Sequence, residues 1–160
     1  MSDTWNVDVT RTFDVPLDRA WRAWSEADEV KKWWGPEGFS CNLAEVDLRP
    51  GGRTLVGMRA HPELGSFEMY GTWTYDEVEP QTRFTYVFRF SDRDGNPMSP
   101  LSFGLVGVPE EGHHEVRLTA IGPGRTRLHM IEAGYTVEEM RDQSKAGLES
   151  CLDKMAASFV

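Results

Sequence analysis

Residues 136–159 read TVEEMRDQSKAGLESCLDKMAASF. Thr136-Val137-Glu138-Glu139 has the form of a capping box, and Val137, Met140, Ser144, Leu148, Cys151, Leu152, Met155 and Phe159 then recur at helical spacing along one stripe. The spacing predicts one closing helix of about 23 residues, ~35 Å long. Gln143, Ser144 and Gly147 interrupt the stripe where a purely structural seam would carry larger apolar groups, so the helix face leaves room.

Upstream of this helix the period is mostly two. Residues 5–15 alternate, with Trp5, Val7, Val9, Arg11, Phe13 and Val15 on one face, until Pro16 stops the strand. From Leu17 the spacing of Leu17, Ala20, Trp21 and Trp24 is helical, and a break near Ala27 divides two short helices, the second running to Trp33. Beyond the Trp34–Gly38 turn, strands are expected over 39–49, 53–60, 66–79, 82–91, 113–121 and 125–132, separated by turns containing Gly or Pro. Connections this short make the strands antiparallel. Residues 91–112 are too long for an ordinary connection, and are expected to be either a mobile flap or a strand extension through Leu101–Val108.

The 160 residues fit one domain, 1–160, and no repeat or linker divides them. Seventeen Lys and Arg against 26 Asp and Glu give a formal charge of −9, which argues against nucleic acid and anionic membrane as partners. The start of the chain has no basic and apolar leader and no stretch is apolar enough to span a bilayer, so a cytoplasmic location is expected. Cys41 and Cys151 read as two buried thiols and not as a disulfide.

A strand, two short helices, six strands and a long helix make an α+β arrangement in which only the last helix can cover the concave face of a curved sheet. The run Val15-Pro16-Leu17-Asp18-Arg19-Ala20-Trp21-Arg22-Ala23-Trp24, then Ala27-Asp28-Glu29-Val30 and Trp33-Trp34-Gly35-Pro36, resembles the opening of the AHSA-type proteins. These are named after the activator of the heat-shock-protein-ninety ATPase and belong to the START-like (SRPBCC) superfamily. Arg49-Pro50-Gly51-Gly52 after Asp47, Gly71 before Glu77-Val78 and Pro80, Gly124-Arg125-Thr126 with Leu128, and Gly147-Leu148 with Leu152–Met155 are similar to later signatures in the same order. The resemblance implies a helix-grip fold, a seven-stranded curved antiparallel sheet around a long C-terminal helix with two short helices after the first strand. Leu148 stands where the family often has Trp, which implies a wider cavity floor here.

Between sheet and helix a small apolar guest is expected. Phe67, Met69, Gly71 and Trp73 share one strand face, as do Phe84, Tyr86, Phe88 and Phe90 on the next. The expected cavity residues are Trp33, Met58, Phe67, Met69, Trp73, Tyr86, Phe88, Phe90, His129, Tyr135, Met140, Gln143, Ser144, Gly147 and Cys151. Glu132 is an alternative to His129 as the polar group among them. Gly71 is expected to mark a bend or bulge.

No catalytic residue, metal site or cofactor is expected. His113 and His114 alternate across a strand and cannot share a metal, and neither a nucleophile elbow nor a phosphate loop occurs. The leading function is therefore binding of a hydrophobic, aromatic or lipid-like ligand. The alternatives are a cyclase or aromatase working in the same cavity, and a chaperone-activating partner implied by the family name. An exposed apolar patch could also mediate a homodimer.

Overall fold

Alternation at the start of the chain becomes β1 (Trp5–Phe13), and the helical spacing after Pro16 becomes α1 (Leu17–Ser25) and α2 (Ala27–Trp33). The strands that follow are β2 (Phe39–Glu45), β3 (Arg53–Ala60), β4 (Glu68–Glu79), β5 (Arg83–Ser91), β6 (Gly112–Gly122) and β7 (Arg125–Tyr135), and α3 (Glu138–Ser158) closes the chain. The computed structural model describes residues 4–160.

All strand pairs are antiparallel, in the order β1-β7-β6-β5-β4-β3-β2. Irregular register at Trp5/Val7, Cys41/Leu43, Tyr75/Val78 and Ala120/Gly122 adds the local twist that curls the sheet. Because β1 and β2 are the two edges, α1 and α2 must cross the concave face to join them. Their indoles fill one half of it: Trp24 lies 4.7 Å from Trp33 and 5.9 Å from Trp73, ring centre to ring centre. Trp24, Trp33, Trp73, Tyr75 and Phe84 are all buried to 1% exposure or less, and each contributes roughly 1.5–3 kcal/mol of burial energy.

Helix α3 lies across the same face and is tied at both sides. Arg11 Nη1 donates to Asp153 Oδ1 at 2.9 Å on the β1 side. Lys154 Nζ donates to the carbonyls of Pro36 (3.2 Å) and Phe39 (2.8 Å) on the β2 side.

Four expectations need correction. The capping box does not form: Val137 is the N-cap of α3 with no side-chain cap, because the Thr136 amide is already given to the carbonyl of Gly107 at 2.9 Å. Strand β2 stops at Glu45 instead of 49, since Asp47–Gly52 fold into turns whose Gly51 amide and Gly52 carbonyl pair with Tyr75. Residues 92–111 are neither flap nor strand. Asp92 gathers the amides of Asp94 and Asn96, Ser91 bridges Pro97, a 3-10 turn spans Pro100–Phe103, and Gly107 then docks the start of α3. Gly71 does not mark a bulge, as β4–β5 register is continuous from Tyr70 to Tyr75. A Cβ there would lie 2.7 Å from the Phe88 ring, so the glycine gives that ring its place.

Candidate functional site: the open half of the concave face

Strand alternation decides what faces α3. Val56 and Met58 on β3, Met69, Gly71 and Trp73 on β4, and Tyr86, Phe88 and Phe90 on β5 share the concave face through their pairings. His114 on β6, opposite Tyr86, and Glu132 on β7, opposite His114, continue the row. Toward α1 and α2 this face is packed. Toward the β3–β4 and β5–β6 loops Met58, Met69, Phe88 and Phe90 are only half-buried, which makes this the less closed, open half of the face.

Aromatic rings run from the opening inward. Phe103 packs on Phe90 (5.5 Å), Phe90 on Phe88 (5.1 Å), and the Phe88 ring lies parallel to the His114 imidazole, 5.7 Å away at an interplanar angle of 1°. Tyr86 also packs against His114, edge-on at 5.0 Å. Gly112 keeps this ring uncrowded, since a Cβ there would come within 3.1 Å of His114 Nε2.

At the inner end stands a buried polar group. The Tyr135 hydroxyl donates to Glu132 Oε1 at 2.8 Å, and Ser144 of α3 lies near the Tyr135 hydroxyl. Glu132 is 8% exposed, and burial pushes its carboxyl up to about 7, against the lowering effect of the Tyr135 hydrogen bond. Burial likewise pushes His114 down to about 3, so its imidazole is neutral, and raises the Tyr86 and Tyr135 hydroxyls. His114 Nδ1 is 4.0 Å from Glu132 Oε2 and has no hydrogen-bond partner among the described residues.

Of the residues expected here, Met58, Met69, Phe88, Phe90, Met140 and Ser144 are half-buried around the open half, and Tyr86, Tyr135 and Cys151 form its buried wall. Burial pushes the Cys151 thiol up to about 12, which makes it an inert surface. Cys41 is only half-buried; both thiols are free. Gly147 lies on the Ser144–Cys151 stripe of α3, and a Cβ there would meet nothing within 4 Å.

Other placements differ from the reading. Trp33 belongs to the packed half, its Nε1 donating to the Ala23 carbonyl at 2.8 Å, and its neighbour Trp34 is the half-buried one, 5.3 Å from Trp73. Trp73 is fully buried against Tyr86. Phe67, 48% exposed, is a rim residue packed on Phe39, and Gln143 turns to solvent.

His129 is on the convex face, where its Nε2 pairs with Asp8 Oδ1 at 2.7 Å, because Leu128, Met130 and Glu132 take the inward positions of β7. His114, left out of the residues expected here, lies on the concave face. Its phase with Val116 and Leu118, both buried on the same strand, is the sequence signal that marks it as inward.

Two solvent-open hollows lie on the convex side. One of about 350 Å³ is bordered by Asp76, Thr85, His113, Glu115, Ile131 and Ala133 and also touches Tyr86 and His114, and one of about 440 Å³ is bordered by Thr10, Arg117, Thr119, Arg127 and His129. Neither is the gap between sheet and helix.

A curled seven-stranded antiparallel sheet gripping a C-terminal helix, with short helices after the first strand, defines a helix-grip domain of the START-like kind. The family model described as activator of Hsp90 ATPase homolog 1-like protein matches residues 14–159, and the chain belongs to that family.

Solved structures agree on the fold. A protein from Chromobacterium violaceum superposes with a TM-score of 0.76 at 24% identity, covering 95% of this chain and 94% of that one. One from Mycobacterium smegmatis gives 0.76 at 23% identity, covering 99% and 96%. The AHSA1 protein from Silicibacter pomeroyi gives 0.76 at 19% identity, covering 97% of each chain. No curated protein matches the chain. No helix among the described residues is long and apolar enough to cross a membrane.

Proposed function

We propose that the protein binds a small, largely apolar aromatic or lipid-like molecule in the open half of the concave face, under the first half of α3. The observation that carries this reading is the division of one face. Strands β4 and β5, which bury Trp73 and Phe84 completely, leave Met69, Phe88 and Phe90 half-buried, as β3 leaves Met58, and Glu132 on β7 is sequestered on the same face. Half-buried aromatic and methionine side chains beside one or two polar groups are the usual lining of a small-molecule site. Glu132, raised by burial and bonded to Tyr135, is the polar group at the inner end of that lining.

The partner in this reading is a small molecule met in the cytoplasm, not nucleic acid or an inserted membrane. Native mass spectrometry of protein purified from its own host, compared with a denatured sample, tests it. A reproducible apolar compound that leaves with unfolding is the expected result. An empty protein whose melting temperature also ignores a panel of aromatics and lipids would overturn it.

A further inference from the structure

We propose that the inner end of the groove is a hydroxyl-binding site, and that the molecule it takes is a hydroxylated aromatic, a phenol or enol, with its oxygen seated between Glu132 and His114. This deepens the ligand-binding reading and rests on it.

Three features of the geometry point to a hydroxyl. First, Glu132 Oε1 is occupied by the Tyr135 hydroxyl at 2.8 Å, which leaves Oε2 as the free acceptor. Second, His114 Nδ1 lies 4.0 Å from that oxygen, too far for a direct hydrogen bond, and is buried without a partner among the described residues. Third, one oxygen at ordinary hydrogen-bond distance, roughly 2.8 Å, can reach both atoms across such a gap.

A hydroxyl is the group that both donates and accepts. With Glu132 ionised it donates to Oε2 and accepts from Nδ1–H. With Glu132 protonated it reverses, accepting from the carboxyl and donating to the imidazole in its other tautomer. An ether or a ketone can only accept, and leaves Oε2 of an ionised Glu132 without a donor.

The surroundings select the rest of the molecule. The groups facing Glu132 are Tyr135 on β7, His114 on β6, Tyr86 on β5, and Ser144 and Cys151 on α3, with no Lys or Arg among them. An anionic headgroup would meet the carboxylate with no cation to offset it. The flat Phe88–His114 stack runs from this end to the half-exposed Phe90, so an aromatic body laid along it keeps its hydroxyl inward.

Isothermal titration of the full chain at pH 8 with 1-naphthol and with 1-methoxynaphthalene tests the site, since the second probe carries a methyl in place of the hydroxyl proton and can only accept; substitutions at Glu132 and His114 separate lost pairing from the added bulk. The wild type is expected to bind the naphthol at least about tenfold more tightly, because a site built to pair a hydroxyl rejects the analogue that lacks it. Glu132→Gln and His114→Phe, the latter keeping a ring against Phe88, are expected to bring the two affinities within about threefold of each other, with folding checked by melting temperature. Equal affinities in the wild type would overturn the hydroxyl site and leave the groove reading standing. Binding of neither probe would overturn the groove reading for this class of ligand, and the site with it.

Discussion

Glu132 and His114 face each other with opposite responses to burial, and this sets a pH signature for single substitutions. A carboxyl raised from 4.5 to about 7 keeps in the native state a proton that the unfolded chain releases, so stability falls as pH rises between those values. An imidazole lowered from 6.5 to about 3 refuses a proton that the unfolded chain takes, so stability falls as pH drops between those values. From about pH 4.5 to 6.5 the two slopes oppose each other. Glu132→Gln should therefore reveal stability that rises with pH by up to ~1.4 kcal/mol per unit in that window, and His114→Gln the reverse. Urea unfolding at pH 5 and pH 6.5 measures both, and identical slopes in wild type and variants would contradict the assignment.

At this scale the sequence was half legible. Period-two phase correctly aligns Tyr86, Phe88 and Phe90, and it would have chosen Glu132 over His129 had Leu128 and Met130 been taken as the inward set. It cannot say which of Trp33 and Trp34 turns in, because that depends on the Ala23 carbonyl ten residues away along the chain.

Helix α3 shows the same division among the elements. Its stripe and extent are local properties and were readable, whereas its start is fixed by a chain segment some thirty residues upstream. Gly107, at φ +90°, receives the Thr136 amide on its carbonyl and lies where a Cβ would be 2.4 Å from Val137 Cγ2. Thr136→Ala should accordingly cost less than about 0.5 kcal/mol, since no cap is lost, while Gly107→Ala should cost at least about 1 kcal/mol. Thermal or urea unfolding compares them, and a larger loss for the threonine would restore the capping box.

Lys154 is the other tie. Removing its two hydrogen bonds to the Pro36 and Phe39 carbonyls by Lys154→Ala should cost roughly 1–2 kcal/mol, a fall of roughly 2–8 °C in melting temperature by calorimetry. The strands were legible wherever a Gly or Pro turn bounded them. Residues 92–111 were not, because Asp92 capping its own turn and Gly107 docking on α3 leave no periodicity to read.

The molecule as a whole is one sheet with two unlike halves, and the order of the elements explains both. Edge-to-edge crossing by α1 and α2 brings Trp24 and Trp33 over one half, while α3 alone spans the other, with Ser144 and Gly147 where larger side chains would close it. Gly147→Phe, built into space where a Cβ meets nothing within 4 Å, should fold with an unchanged melting temperature and weaken ligand binding at least about tenfold. Calorimetric titration with 1-naphthol reads it, and undiminished affinity would place the ligand elsewhere. The sheet order and the grip of the helix were legible from the succession of elements. The division into halves was not, because it arises from which strands α1 and α2 cover.

The methionines report on that division directly. Met58, Met69 and Met140 border the open half, and Met130 and Met155 are 2% and 1% exposed within the packed core. Methyl NMR of the ¹³C-methionine protein titrated with 1-naphthol should shift the Met58, Met69 and Met140 signals and leave those of Met130 and Met155 in place. Shifts confined to Met98 on the β5–β6 connection, or none at any of these methyls, would contradict a binding groove between sheet and helix.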